Sequence, residues 1–200
     1  MGVVSMASTS VSKTESEGSN PSTCANPCAS ANHTKVYPHV WFDANKNVVI
    51  KNDNFSWWTE ENVDLWCELY NSYYEYDNRV VKVLKFDGKE QHTEALEGFD
   101  LRDESKLNTL DVPSLIQIHR EYVDIWSKML GFRHPLIPEG RFWFHRDLQL
   151  KNVMWCTDGR LRLIDPDHFN ICQLQTDFSI QTKFREGLRP LEQLLTEKVR

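Results

Sequence analysis

The sequence predicts an α+β fold in two lobes, on three observations. Strand signals crowd the first half around a single helical stretch. A long amphipathic helix follows from Pro113. A polar loop and a tight hairpin come next, over residues 145–164. With 200 residues, the chain can bury one sizeable core but is short for two.

The elements are read in order as follows. Residues 39–42 and 47–51 read as two short strands around a turn at Asp43-Ala44-Asn45. Thr59 can cap a helix whose first turn holds Glu60 and Glu61, where carboxylates favour the positive end of the dipole. Val63, Trp66, Leu69, Tyr70 and Tyr73 recur at helical spacing. Residues 80–86 and 91–96 read as a hairpin about Asp87-Gly88. Pro113 opens a helix with Leu115, Ile118, Tyr122, Ile125, Trp126 and Met129 on one face. A loop with Pro135, Pro138 and Gly140 precedes a short strand at 142–144, then a hairpin of 153–156 with 161–164 about Asp158-Gly159. Pro190 is expected to start a last helix.

Composition narrows the function. Lys and Arg number 23 against 29 Asp and Glu, a net charge of −6, which argues against a general grip on nucleic acid. No apolar run approaches the length of a membrane span. Five cysteines, an odd count without a disulfide framework, suit a reducing compartment, so a cytoplasmic protein without a signal peptide is expected. Residues 1–34 hold eight Ser and four Thr but no aromatic residue, and are expected to form a disordered tail ahead of a domain over 35–200. Cys24 and Cys28 in that tail lack a second ligand pair at zinc spacing. The aromatic residues Trp57, Trp58, Trp66, Tyr70, Tyr73 and Tyr74 are expected in the core and at the lobe interface.

Chemistry concentrates between His145 and Asp167. Phosphoryl transfer needs a carboxylate to accept a hydroxyl proton, oxygen ligands for magnesium and a cation on the nucleotide phosphates. Asp147 and Asn152 on one loop can supply the base and a metal ligand. The hairpin after them would fold Asp165 back beside Asn152 as a second ligand, with Asp167 as a further oxygen donor.

The run His145-Arg146-Asp147-Leu148-Gln149-Leu150-Lys151-Asn152 resembles the catalytic loop of the protein-kinase-like superfamily. That resemblance extends collinearly from about Lys35 to Phe169. It implies a bilobal kinase-like fold, with an N-lobe and hinge over 35–97 and a C-lobe over 98–200. By the same resemblance Val48-Val49-Ile50-Lys51 looks like the strand with the phosphate-binding lysine, and Glu68 like its ion-pair partner. The segment Glu94-Ala95-Leu96-Glu97-Gly98 looks like the hinge that holds adenine through backbone groups. The implied cofactors are ATP and Mg2+, and the implied activity is transfer of the γ-phosphoryl group to a hydroxyl acceptor, protein or small molecule.

Three departures qualify the resemblance. No glycine occurs between Gly18 and Gly88, so the phosphate cradle expected before Lys51 is missing, and Asp43 adds a like charge there. Asp165-Pro166-Asp167 replaces the usual Asp-Phe-Gly, and proline restricts any flip of Asp165. Only 33 residues follow Asp167, a short, truncated C-lobe closer to small-molecule kinases such as aminoglycoside or choline phosphotransferases. Gln149 also stands where Ser/Thr-directed kinases carry lysine. Two other readings stay open: a pseudokinase that binds nucleotide without turnover, and a metal-dependent phosphohydrolase built on His145, Asp147, Asp165, Asp167 and His168.

Overall fold

The computed structural model describes residues 33–52, 58–173 and 178–200. Most of the expected tail, with Cys24 and Cys28, lies outside the described residues, as does Trp57. The chain is α+β, and all its strand ladders are antiparallel.

The first sheet has the order β1-β2-β3-β5-β4. Its strands are β1 (His33–Tyr37), β2 (Val40–Asp43), β3 (Val48–Asn52), β4 (Val83–Phe86) and β5 (Glu90–Glu94). β2 and β3 form the expected hairpin, with Asp43 opposite Val48. Phe42, Val48 and Ile50 are buried. The Asp43 carboxylate accepts from the N–H groups of Asn45 (3.1 Å) and Lys46 (3.3 Å), so its own turn engages the like charge noted above. β1 begins inside the segment read as tail. β4 starts three residues later than its apolar run, because Val80 makes a bridge to Leu163 instead.

Helix α1 (Glu60–Tyr76) starts where its cap predicts, with the Thr59 hydroxyl accepting from the Asn62 N–H. It buries Val63, Trp66, Leu69, Tyr70 and Tyr73. Two bonds anchor it across the molecule: Trp66 Nε1 donates to the Phe169 carbonyl (3.1 Å) and the Tyr70 hydroxyl to the Val81 carbonyl (2.6 Å). Two elements without a strong pattern follow: a three-residue strand β6 (Gly98–Asp100) and a single turn α2 (Glu104–Leu107). Helix α3 (Val112–Gly131) is capped by Asp111, with Pro113 in its first turn, and buries Leu115, Ile118, Tyr122, Ile125 and Met129.

The remaining strands make two small sheets. β7 (Phe142–His145) pairs with β10 (Phe169–Cys172), and β8 (Val153–Cys156) lies between β6 and β9 (Leu161–Leu163). The last helix corrects the sequence reading. Helix α4 (Phe178–Val199) does not start at Pro190 but contains it. An interior proline lacks the N–H of one helix bond and costs about 3 kcal/mol. Here Pro190 is exposed while Ile180 and Leu191 are buried, so packing of α4 along α3 outweighs the local break.

Candidate active site

β3, the middle strand of the first sheet, delivers Lys51. Opposite it, the segment between β7 and β8 carries Asp147 and Asn152. That segment is fixed by its own backbone: the Asn152 N–H donates to the Gln149 carbonyl (2.9 Å), and the Gln149 N–H to that of Asp147 (2.8 Å). From α3 the buried Tyr122 hydroxyl donates to the Leu148 carbonyl (3.1 Å). The Asn152 amide donates to the Asp147 carbonyl (2.7 Å) and to Asp147 Oδ2 (3.1 Å), which leaves its side-chain oxygen as the ligand atom.

The β8–β9 hairpin returns the chain as its spacing predicts. The Ile164 N–H donates to the Asn152 carbonyl (2.8 Å), and the Arg146 N–H to the carbonyl of His168 (3.0 Å). Asp165 is left-handed, with φ 64° and ψ 57°. Pro166 disfavours the right-handed helical region at the residue before it, and Asp is among the residues that tolerate this alternative best.

Lys51 Nζ donates to Asp165 Oδ1 (2.8 Å) and to both oxygens of Asp167 (3.0 Å each). Burial opposes the charge on Lys51, but the Asp167 and Asp165 carboxylates outweigh it, and its pKa is raised. Burial also opposes the charge on Asp165, yet His168 and Lys51 hold its carboxyl well below the usual carboxylate range. Asp167 moves the other way, pushed up by burial and by the neighbouring Asp165 carboxylate. Two carboxylates face one ammonium and the His168 imidazole, and oxygen donors gathered this closely suit a divalent cation. One oxygen from each, with a nitrogen of His168, lies within 4.8 Å of the others. Hard carboxylate donors so placed fit Mg2+.

Two histidines behave oppositely. His145 Nε2 donates to the carbonyls of Ile164 (3.1 Å) and Asp165 (3.0 Å), so the proton sits on that nitrogen. Burial, helped by the charge of His168, lowers its pKa to about 4, and Nδ1 is buried without a partner among the described residues. His168 lies 3.2 Å from Asp165 Oδ2 and 4.0 Å from Asp147 Oδ2. The hydrogen bond to Asp165 raises its pKa against the effect of burial. His168 thus bridges the two acidic halves of the site.

Asp147 is buried, with Lys151 Nζ 2.7 Å from Oδ2 and Lys183 Nζ 2.9 Å from Oδ1. Burial alone would raise its pKa, but the two lysines hold the carboxyl at about 2. It is ionised at neutral pH, as a proton acceptor must be.

The structure therefore gathers Lys51, Asp147, Asn152, Asp165 and Asp167. It does not gather Glu68, which is exposed on α1 and makes no ion pair with Lys51 among the described residues. Its position on the helix face opposite Trp66, Leu69 and Tyr70 explains why. Glu94 closes β5 and spends its carboxylate on the Lys82 N–H (2.7 Å) and its own N–H on the Lys82 carbonyl (3.0 Å), and the Ala95 N–H donates to the Asn47 carbonyl (3.1 Å). Leu96 lies in the connection to β6, and its backbone makes no hydrogen bond among the described residues. Sequence reasoning missed Lys183: it sits on a helix expected to begin only at Pro190, and no motif spacing links it to Asp147.

No family model matches the chain, and no curated protein does. Among solved structures the chain is similar to "LicA in complex with AMP", at 16% identity and a TM-score of 0.45, over 84% of this chain and 71% of that one. It is also similar to choline kinase LicA from Streptococcus pneumoniae, at 17% identity and a TM-score of 0.42, over 82% and 72%.

Proposed function

We propose that this chain is a Mg·ATP-dependent phosphotransferase of the kinase-like, bilobal type, acting on a hydroxyl acceptor. One observation carries the reading. Lys51 from the first sheet meets Asp165 and Asp167 from the far end of the chain, and His168 links that cluster to the Asp147–Asn152 loop. A structural ion pair would need one carboxylate; this arrangement keeps two, with a third beside them.

In this reading adenine is held by backbone groups within Glu94 to Glu97, and Lys51 holds the phosphates. Asn152, Asp165 and Asp167 hold Mg2+, which when bound neutralises phosphate charge. The acceptor oxygen bonds to the γ-phosphorus as the bond to the bridging oxygen breaks. The hydroxyl proton passes to Asp147, and the electron pair leaves with ADP. Turnover is slow, because a missing backbone donor to the phosphates costs about 10² to 10³ in rate.

Calorimetry should detect Mg·ATP binding that is lost in Asp165→Ala. An ATP-consumption assay should then find transfer in the wild type and none in Asp147→Asn, with nucleotide affinity kept. Equal binding by the wild type and Asp165→Ala would overturn the site. Binding without any difference between wild type and Asp147→Asn would leave a nucleotide-binding module without turnover.

A further inference from the structure

Charge is balanced unequally on the two sides of this site. On the side of Lys51, two carboxylates face one ammonium and the His168 imidazole. Around Asp147 the order is reversed: one carboxylate faces two ammonium groups, Lys151 on Oδ2 and Lys183 on Oδ1. A single buried carboxylate needs one cation for charge balance, so the second is a surplus positive charge. Neither lysine is fully buried, with 39% and 34% of their side chains exposed, so both can be reached by a ligand.

Their neighbours set them apart. Lys151 belongs to the loop and lies beside Asn152, which already donates to Oδ2. Oδ1 carries only Lys183 among the described residues, so an acceptor hydroxyl that gives its proton to Asp147 comes to Oδ1, next to the Lys183 ammonium. The phosphorus being attacked must then lie within reach of the same ammonium, between Asp147 and the cluster of Asp165 and Asp167.

The placement of Lys183 is not accidental surface geometry. Its neighbour Phe184 stacks on Tyr122 (5.2 Å, 5°) and on Trp126 (4.5 Å, 22°), both on α3. The same Tyr122 holds the loop through the Leu148 carbonyl. One aromatic contact thus fixes the height of Lys183 on α4 and the position of Asp147 together.

We propose that Lys183 is a catalytic residue of this site: its ammonium contacts the terminal phosphoryl group of the bound nucleotide and neutralises charge on it during transfer. It supplies from α4 part of the anion contact that a glycine-poor β2–β3 turn lacks. The inference rests on the phosphotransferase reading and assigns that reading a residue outside its motif.

The test needs no turnover. Affinities for Mg·ATP and Mg·ADP are measured by calorimetry on the full chain, as wild type, Lys183→Met and Lys183→Arg, with thermal melts to verify folding. A contact to the terminal phosphoryl group predicts that Lys183→Met loses about tenfold or more in ATP affinity and little in ADP affinity. Lys183→Arg should restore most of the preference for ATP, since the positive charge is kept. Equal ATP-to-ADP ratios in all three proteins would overturn the role of Lys183 alone. So would a ratio that collapses in Lys151→Met and not in Lys183→Met. A wild type that binds neither nucleotide would overturn the phosphotransferase reading itself, and this inference with it.

Discussion

His145 and His168 divide the pH axis between them. Both start near 6.5 in an unfolded chain. His145 is lowered to about 4 by burial, so between 6.5 and 4 the unfolded state takes up a proton that the folded state refuses. Its contribution is complete above pH 6.5 and falls away as the pH drops towards 4, a loss on the order of 3 kcal/mol. His168 is raised by its bond to Asp165, so its contribution is complete below 6.5 and fades as the pH rises through the folded value. Asp167, raised from the carboxylate range, slopes against His145 at low pH, so a difference measurement isolates the histidine. Urea unfolding of the chelated, metal-free protein at several pH values should find the gap between wild type and His145→Gln widest near 6.5 and narrowing towards 4. A gap independent of pH would mean that His145 takes up its proton as readily in the folded as in the unfolded chain. The candidate residues that the structure brings together are those whose chemistry and spacing coincide. Asp147, Asn152 and Asp165 are tied by a short loop and a hairpin, and local turn rules suffice to bring them together. Lys51 needed only its strand. Glu68 was expected from the kinase-like resemblance and its place in the following helix, but the face it occupies is decided by the aromatic residues, which bury the other side.

Elements were legible in proportion to their periodicity. The Thr59 cap, the start of α3 at Pro113, the buried stripes of α1 and α3, and the two Asp-Gly hairpins follow from local sequence patterns. β1, β6 and α2 are five residues or fewer, and pairing or packing with distant partners creates them. The helix α4 was misplaced because proline is a strong local signal, while the contact that overrides it is tertiary. Gly187 marks that contact. It is buried, and a Cβ there would run into the Tyr122 hydroxyl. Alanine in place of a helical glycine gains about 1 kcal/mol from propensity, whereas forced overpacking costs about 1 to 3. Gly187→Ala should therefore lower the melting temperature, and adding Tyr122→Phe should recover part of the loss by removing the obstructing oxygen. If Gly187→Ala is neutral or stabilising by itself, α4 does not sit against α3 at this height, and the placement of Lys183 falls with it.

At the scale of the molecule, the segment joining α1 to β4 holds the first sheet to the rest. The Leu163 N–H donates to the Arg79 carbonyl (2.7 Å), and the Val81 N–H donates to that of Leu163 (2.9 Å), two residues before Asp165. This joint fixes the distance from Lys51 to its carboxylates. Arg79 locks it from inside. Its side chain is buried, donates to both oxygens of Asp77 (2.8 and 2.7 Å) and reaches Asp124 on α3 (2.7 Å). Burial opposes the guanidinium charge, yet the bonds to Asp77 and the charge on Asp124 leave its pKa raised. Removing one member of such a pair strands a buried charge and costs about 3 to 5 kcal/mol, whereas replacing both members by apolar groups of similar volume is often neutral. Arg79→Met should thus be strongly destabilising, and Arg79→Met with Asp77→Leu clearly less so, although Asp124 gives up a partner in both. The joint's backbone bonds use neither side chain, so the double variant keeps the register of Arg79 and Val81 on Leu163. Urea denaturation of the two single variants and the double one reads the coupling directly. Losses that simply add would show that Arg79 and Asp77 act separately, and would leave the two backbone bonds to Leu163 as what holds the first sheet in place.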